Sequence, residues 1–358
     1  MDKEKHGTLV WSTGISGCGR KEHLSRLAKL AEADGKKIKI YNVGDMILEE
    51  AKINSINLTP GKVLDAPRST LNALRAAVFR VILAQIEKDR AENDIVIINL
   101  HTVFFWKDAY HPAYNIHYMK EFNPDMFVCF IDSADTIIET LNKREQWQNQ
   151  HLTEQLVWLW QNCEVNNTEN YRFLFGKKPK PYFTIPVTQP EETLYYLALE
   201  PWRPRVYAQM PISHLDEEEL KAVREFIRWL WKYFVIFDPL TIDIKRTKAA
   251  TPDDLRTRNN QTVIRDRYWH IGQSELCIAY IAKLVFTAGV IDETREAQDT
   301  NKDIYWIFPK ENYGPFEGYL VEPSKIFLEL EGFKKFVIEK MAPEIEKRKQ
   351  KYLKPQKK

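Results

Sequence analysis

The chain has 358 residues, 44% of them hydrophobic and 28% charged, a composition that fits about two globular domains and excludes a disulfide-stapled miniature or a disordered polymer. Its net charge of +2 conceals an asymmetry: the last twelve residues hold seven Lys or Arg and no acid, so the remainder is net acidic and charge gives no reason to expect a nucleic-acid partner. No apolar run approaches the ~18 residues of a bilayer span, and the charged start Met1-Asp2-Lys3-Glu4-Lys5 has no secretory apolar region, so the expected location is cytoplasmic, with no membrane partner.

In chain order, β-rich runs at 8–13, 37–43, 94–99 and 126–131 alternate with helical periodicity at 21–33 and 71–90, a pattern that predicts a parallel sheet with crossover helices. Trp147, Trp158 and Trp160 recur at helical spacing and are expected to fill a core or an interface. Closely spaced prolines in Lys177-Lys178-Pro179-Lys180-Pro181 and Glu200-Pro201-Trp202-Arg203-Pro204 predict an extended linker over 176–204. A second βα series follows from Arg205. Its helix over 216–234 sets Leu220, Val223, Phe226, Ile227, Leu230 and Phe234 on one face. The segment 241–261 carries Lys245, Arg246, Lys248, Arg256 and Arg258 and is expected to be a solvated loop, with a basic lid over a phosphate as the alternative. The predicted class is α/β with an N-terminal P-loop NTPase-like parallel sheet (1–175), the linker (176–204), a Rossmann-like domain (205–335) and a basic C-terminal helix or tail (336–358). Cys18, Cys129, Cys163 and Cys277 share no CxxC or Cys/His spacing, so no metal site is expected.

After the first strand comes Thr13-Gly14-Ile15-Ser16-Gly17-Cys18-Gly19-Arg20-Lys21. A glycine loop opening a helix turns backbone amides and the helix N-terminus toward phosphate oxygens. The spacing from Gly14 to Gly19 fits a P-loop, with Arg20 at the place of the phosphate-binding Lys and Lys21 at the place of the magnesium-binding Ser or Thr. Gly14, Ser16, Gly17, Gly19, Arg20 and Lys21 are the expected phosphate-binding set.

Together with Tyr41-Asn42-Val43-Gly44-Asp45-Met46, Asn99-Leu100-His101-Thr102 and Glu121-Phe122-Asn123-Pro124-Asp125, this loop resembles the archaeal-type adenylate kinase family over residues 7–145. The resemblance implies a triphosphate at Gly14, Gly17, Gly19 and Arg20 and an acceptor nucleotide near Asp45, Arg68 and His101. Asn99 stands at the strand end where that family has an Asp. With Lys21, both magnesium-organising groups are thereby replaced, and a nucleotide-binding pseudokinase is as well supported as a kinase.

Further on, a strand through Tyr207 ends in a Pro211 turn, Asp266 and Ile271 follow, and Gly289 precedes Glu293 and Ala297 at four-residue steps. A helix starting just after Gly289 puts Glu293 in its first turn, where the dipole favours an ionised carboxylate; such a group can act on an oxocarbenium-like centre. The order of these residues is similar to the nucleoside 2-deoxyribosyltransferase superfamily over 205–310. The resemblance implies Glu293 as nucleophile at the anomeric carbon, Asp266 as acid/base and Tyr207 near the sugar. Arg295 stands where that family has a glycine and Thr287 where it has an Asp; Arg295 is a candidate phosphate contact.

The expected function couples the two halves: a degenerate kinase-like nucleotide-binding module and a domain that cleaves or transfers the N-glycosidic bond of a (deoxy)nucleotide or NAD-like substrate. Such chemistry suits nucleotide salvage or an infection-triggered cell-suicide system. ATP or another nucleotide is the expected ligand and a homo-oligomer the expected assembly. No cofactor is required for glycosidic chemistry, and Mg²⁺ lacks its usual ligands. A Mg-dependent nucleoside or nucleotide kinase, and a non-enzymatic nucleotide sensor gating a partner, are the alternatives.

Overall fold

The computed structural model describes residues 6–211, 214–239, 252–283, 285, 288–308 and 325–354. The chain divides into two compact units, Met1–Leu199 with Ile242–Arg258, and Glu200–Thr241 with Asn259–Lys358.

The first unit runs β1 (Thr8–Thr13), α1 (Arg20–Ala33), β2 (Ile38–Asn42), α2 (Val43–Ile53), α3 (Arg68–Glu92), β3 (Ile95–Asn99), β4 (Val103–Trp106), β5 (Ala109–Pro112), α4 (Ile116–Phe122), β6 (Met126–Ile131), α5 (Ala134–Asn142), α6 (Glu145–Gln148), α7 (Glu154–Tyr171), β7 (Tyr182–Pro186) and α8 (Glu192–Leu199). Five strands form a parallel sheet in the order β2-β3-β1-β6-β7. β3 and β6 are buried along their whole length, which is why they read as continuous apolar runs, as strands covered on both faces do. β4 and β5 pair as a separate hairpin. Its two turn residues, Lys107 and Asp108, are both left-handed at φ 50° and 59°, the geometry of a type I′ turn.

The expected linker over 176–204 is corrected here. β7 pairs in parallel with β6 as the edge strand of the first sheet, and α8 is tied down by Thr8 Oγ1 donating to Ala198 O and Tyr195 Oη donating to Asp34 Oδ2. An edge strand tolerates Pro186 because its outer N–H has no ladder partner to lose.

The second unit contains β8 (Arg205–Gln209), α9 (Glu217–Leu230), β9 (Val235–Phe237), β10 (Leu276–Tyr280), α11 (Ala288–Asp299), β11 (Asp303–Ile307), β12 (Ile326–Phe327), α12 (Leu330–Phe336) and α13 (Ala342–Leu353), with a π-helix at Ile264–Ile271 and another at Val337–Met341. All five strands are parallel, in the order β12-β11-β10-β8-β9. Numbered within the unit this is 2-1-3-4-5, a doubly wound order whose switch point lies between β8 and β10. Val206, Ala208 and Met210, Ile236 and Ile278 meet Phe226, Ile227 and Leu230 of α9, together with Phe333 and Val337, in one apolar core. The boundary expected at 335/336 therefore cuts through a packed helix, since Phe333 and Val337 are both fully buried. Only α13 beyond it has no buried residue.

Within the expected loop over 241–261, residues 252 onward form helix α10 (Pro252–Val263). Lys245, Arg246 and Lys248 lie outside the described residues; Arg256 pairs with Asp253 and Arg258 with Glu154.

Candidate functional site

β1 delivers the glycine loop at its carboxyl end. Gly14 and Gly17 have φ of +151° and +84°; a Cβ at Gly14 would come 2.8 Å from Phe130 O, and one at Gly17 would come 2.9 Å from the Leu141 side chain. Only glycine follows this path without strain. Gly19 caps α1 in a left-handed conformation. The buried Arg20 folds back and donates through Nη1 to Gly14 O.

The neighbouring positions fix what surrounds this loop. Lys21 Nζ contacts both oxygens of Asp45 at 2.6 and 2.7 Å, so the carboxylate expected near an acceptor nucleotide holds the ammonium. Asn99 Nδ2 donates to Asn42 Oδ1 at 2.6 Å. An ammonium at 21 and an amide at 99 do not make a magnesium site, which calls for hard anionic oxygens. His101 lies against Phe104, ring centroids 4.7 Å apart; burial first, then Arg20, Lys21 and Arg75, holds it well below the usual histidine range, against the Gly14 backbone. Arg68, the first residue of α3, is exposed. Arg75, about two turns further along, is buried and donates to Asn72 Oδ1 at 2.9 Å. Burial and the charge of Arg68 bring it down to about 10. Ser12 Oγ, Asn99 Oδ1, His101 Nδ1 and Arg20 Nε are buried without a protein partner. Orphaned polar atoms clustered round a glycine loop are the mark of a site built to receive a polar ligand.

Two of these residues, Arg75 and Glu164 of α7, escaped the sequence reading. Glu164 is completely buried and accepts from Gly14 N, Thr102 N, Thr102 Oγ1 and Val103 N. Burial pushes its carboxyl up, opposed by the Thr102 donors, Arg20 and Val103. The available signal was its place on the apolar stripe of α7, in phase with Val157, Trp160 and Thr168. Trp147, Trp158 and Trp160 are core, as expected.

In the second unit the sheet face opposite the apolar core sets polar side chains among apolar ones. Tyr207 and Gln209 of β8 point to it at period two, with Phe237 and Cys277 paired beside Tyr207. Tyr207 Oη donates to Glu293 Oε1 at 2.9 Å, and Thr294 Oγ1 donates to Gln209 Oε1 at 3.3 Å. From the π-helix, Arg265 grips Asp266 with two hydrogen bonds, Nε to Oδ1 at 2.8 Å and Nη2 to Oδ2 at 3.2 Å. π-helical segments concentrate at functional sites. Burial raises Asp266 against the pull of Arg265. Glu293 is pushed well up by burial, with Asp266 adding to it and Tyr207 opposing. Tyr207 is pushed up by burial, Asp266 and Glu293. All three sequence-predicted residues, Tyr207, Asp266 and Glu293, are therefore brought onto one face.

Two expectations are corrected. Glu293 is the sixth residue of α11, past the reach of a first-turn dipole, and its surroundings favour the protonated carboxyl. Arg295 is exposed and faces Asp299 one turn along the same helix, away from this cluster; Thr287 lies outside the described residues. The sequence reading missed Arg265 and His270. His270 is fully buried, stacks on Phe237 at 5.8 Å and 19°, and puts Nδ1 3.9 Å from Asp266 Oδ1, while neither ring nitrogen has a hydrogen-bond partner. Burial and Arg265 hold it well below the usual histidine range. Its position four residues after Asp266 on a helix was the legible signal.

Compared with known proteins, residues 13–155 match a family model described as an AAA domain. Among solved structures, a gluconokinase from Sinorhizobium meliloti 1021 is similar at 16% sequence identity, covering 55% of this chain and 91% of that chain with a TM-score of 0.27. No helix among the described residues is long and apolar enough to cross a membrane. The matched stretch opens on the glycine loop, so the N-terminal region is similar to a P-loop nucleotide-binding domain.

Proposed function

We propose that the chain binds a nucleotide on the glycine loop of its first unit and breaks the base–sugar bond of a (deoxy)nucleotide in its second. The observation that carries the second half is the Tyr207–Glu293 hydrogen bond of 2.9 Å beside Asp266, on a sheet face that a doubly wound fold would otherwise fill with apolar side chains. A buried pair of carboxyls with unequal surroundings is the arrangement acid–base chemistry uses, and the resemblance to deoxyribosyltransferases agrees with it. In this reading Glu293 faces C1′. As the bond from C1′ to the base nitrogen breaks, its electron pair leaves with the base, which takes its proton from solvent while Asp266 holds it, and ionised Glu293 attacks or stabilises the positive sugar. Water then adds at C1′, displacing Glu293 where it has bonded and passing its proton to Asp266, and the sugar phosphate leaves. Burial makes the ionised form of Glu293 the scarce one, so turnover rises with pH through its raised titration.

The test is incubation of the protein and of Glu293→Gln with ATP, dATP, NAD and nucleoside monophosphates, resolved by HPLC. Free base from the wild type, lost at least a hundredfold in the variant, is the expected result. Undiminished base release from Glu293→Gln removes the assignment.

A second reading, phosphoryl transfer, is favoured by the AAA-domain match and by the basic residues Arg20, Lys21, Arg68 and Arg75 around the loop. It requires phosphate transfer that depends on Mg²⁺ and disappears in Gly19→Ala or Arg20→Ala.

A further inference from the structure

Resting on the nucleotide reading of the glycine loop, we propose that Glu164 is the positioning residue of that site: its carboxylate presets the phosphate loop from behind while Arg20 is left exchangeable between the loop and a bound phosphate. Glu164 lies beyond the 13–155 stretch that matches the AAA domain.

Two segments converge on this one side chain. Oε1 takes the N–H of Gly14 at 3.1 Å and of Thr102 at 2.8 Å; Oε2 takes Thr102 Oγ1 at 2.6 Å and the N–H of Val103 at 2.9 Å. All four partners donate, which fills the acceptor capacity of a carboxylate. α7 holds the same segment a second way, since Trp160 Nε1 donates to Val103 O at 3.0 Å. Thr168, one turn on from Glu164, shares a 2.6 Å hydrogen bond with Thr13 at the end of β1. The start of the phosphate loop and the turn after β3 are thus bolted to one helix.

Gly14 is held on both sides. Its N–H goes to Glu164, which is buried and leaves no room for exchange; its carbonyl accepts from the Arg20 guanidinium. Arg20 also keeps Nε without a partner. A phosphate entering the loop offers Arg20 a charged bidentate acceptor in place of a neutral carbonyl, and charge-assisted hydrogen bonds are the stronger ones. Release of Arg20 does not free the loop, because Glu164 remains. A preorganised loop binds with less ordering cost than one that must be shaped by the ligand.

Glu164→Gln keeps the size of the side chain, removes its charge and sets an N–H₂ where two donors now point. The experiment measures ATP affinity by calorimetry on the full chain, at a temperature where circular dichroism shows the fold intact, for wild type, Glu164→Gln, Arg20→Ala and the double variant. The expected result is at least a tenfold loss of affinity for each single variant and a double variant no weaker than the worse single one, since both act on the same loop. Native-state hydrogen exchange without ligand should show faster exchange at Gly14, Thr102 and Val103 in Glu164→Gln. If that variant does not fold, Thr102→Val, which deletes one of the four donors, should weaken ATP binding several-fold. Wild-type affinity in Glu164→Gln, additive losses in the double variant, or unchanged exchange at those amides overturns the assignment while leaving the nucleotide reading standing. A wild type that binds neither ATP nor inorganic tripolyphosphate overturns both.

Discussion

Glu293 is a carboxyl whose burial, reinforced by Asp266, makes its charged form costly. The sign of the consequence follows from linkage. A carboxyl whose titration is raised by folding favours the native state at low pH, where it is protonated in both states, and that contribution is lost as pH climbs from the ordinary carboxylate range to the raised value. Glu293→Gln stays neutral and still accepts from Tyr207, so denaturant titrations from pH 4 to 8 should show the variant gaining on the wild type by up to about 1.4 kcal/mol per pH unit within that window. A stability difference that does not change with pH would show Glu293 to be ordinary. The acidic limb of base release should lie above the range of an unperturbed Glu for the same reason. At the loop, Gly14→Ala meets a backbone oxygen 2.8 Å away at a φ of +151°. Nucleotide binding should be lost and stability should fall by roughly 1–3 kcal/mol, read by calorimetry and chemical denaturation. Gly14, Gly17 and Gly19 were legible in the sequence because glycine is what a chain uses where the backbone must take a positive φ. Glu164 was not, because its role exists only once α7 lies behind the loop.

Among the elements, α7 and α9 contrast two ways of being readable. In α9 the apolar side chains recur on one face and Asp216 closes a capping box with Glu219, so periodicity alone found the helix. Asp216→Ala should cost about 1 kcal/mol in chemical denaturation. α7 buries Trp160, Gln161, Glu164 and Thr168 along with Val157 and Val165, a mixed stripe that serves a polar site as well as a core. Trp160→Ala should cost roughly 3–5 kcal/mol and, by freeing Val103 O, weaken nucleotide binding as well; a destabilised protein with unchanged affinity would separate the two roles. The segment 176–204 reads as a linker because prolines act locally, whereas the partner of β7 is β6, with Phe127 set against Tyr182. The π-helix at Ile264–Ile271 gave no sequence signal, since a segment of eight residues is too short for hydrophobic periodicity to tell π from α.

For the molecule as a whole, the two parallel sheets belong to separate compact units and the two candidate sites to one unit each. Nucleotide at a hundred times its dissociation constant should stabilise the first unit by about 2.7 kcal/mol. In thermal melts, that shift should survive in Glu293→Gln and vanish in Gly14→Ala; its loss in both would show that the ligand acts through the second site. The sequence by itself determined two α/β series and a glycine loop, and put forward Tyr207, Asp266 and Glu293 as candidates, because these follow from spacing, backbone freedom and the alternation of strand with helix, all local in the chain. Only the tertiary structure decided that Lys21 answers Asp45, that Arg295 turns away, that His270 and Arg265 flank Asp266, and that Glu164 sits beneath Gly14. Charge, burial and hydrogen bonding depend on which distant segments meet, and that is fixed by packing.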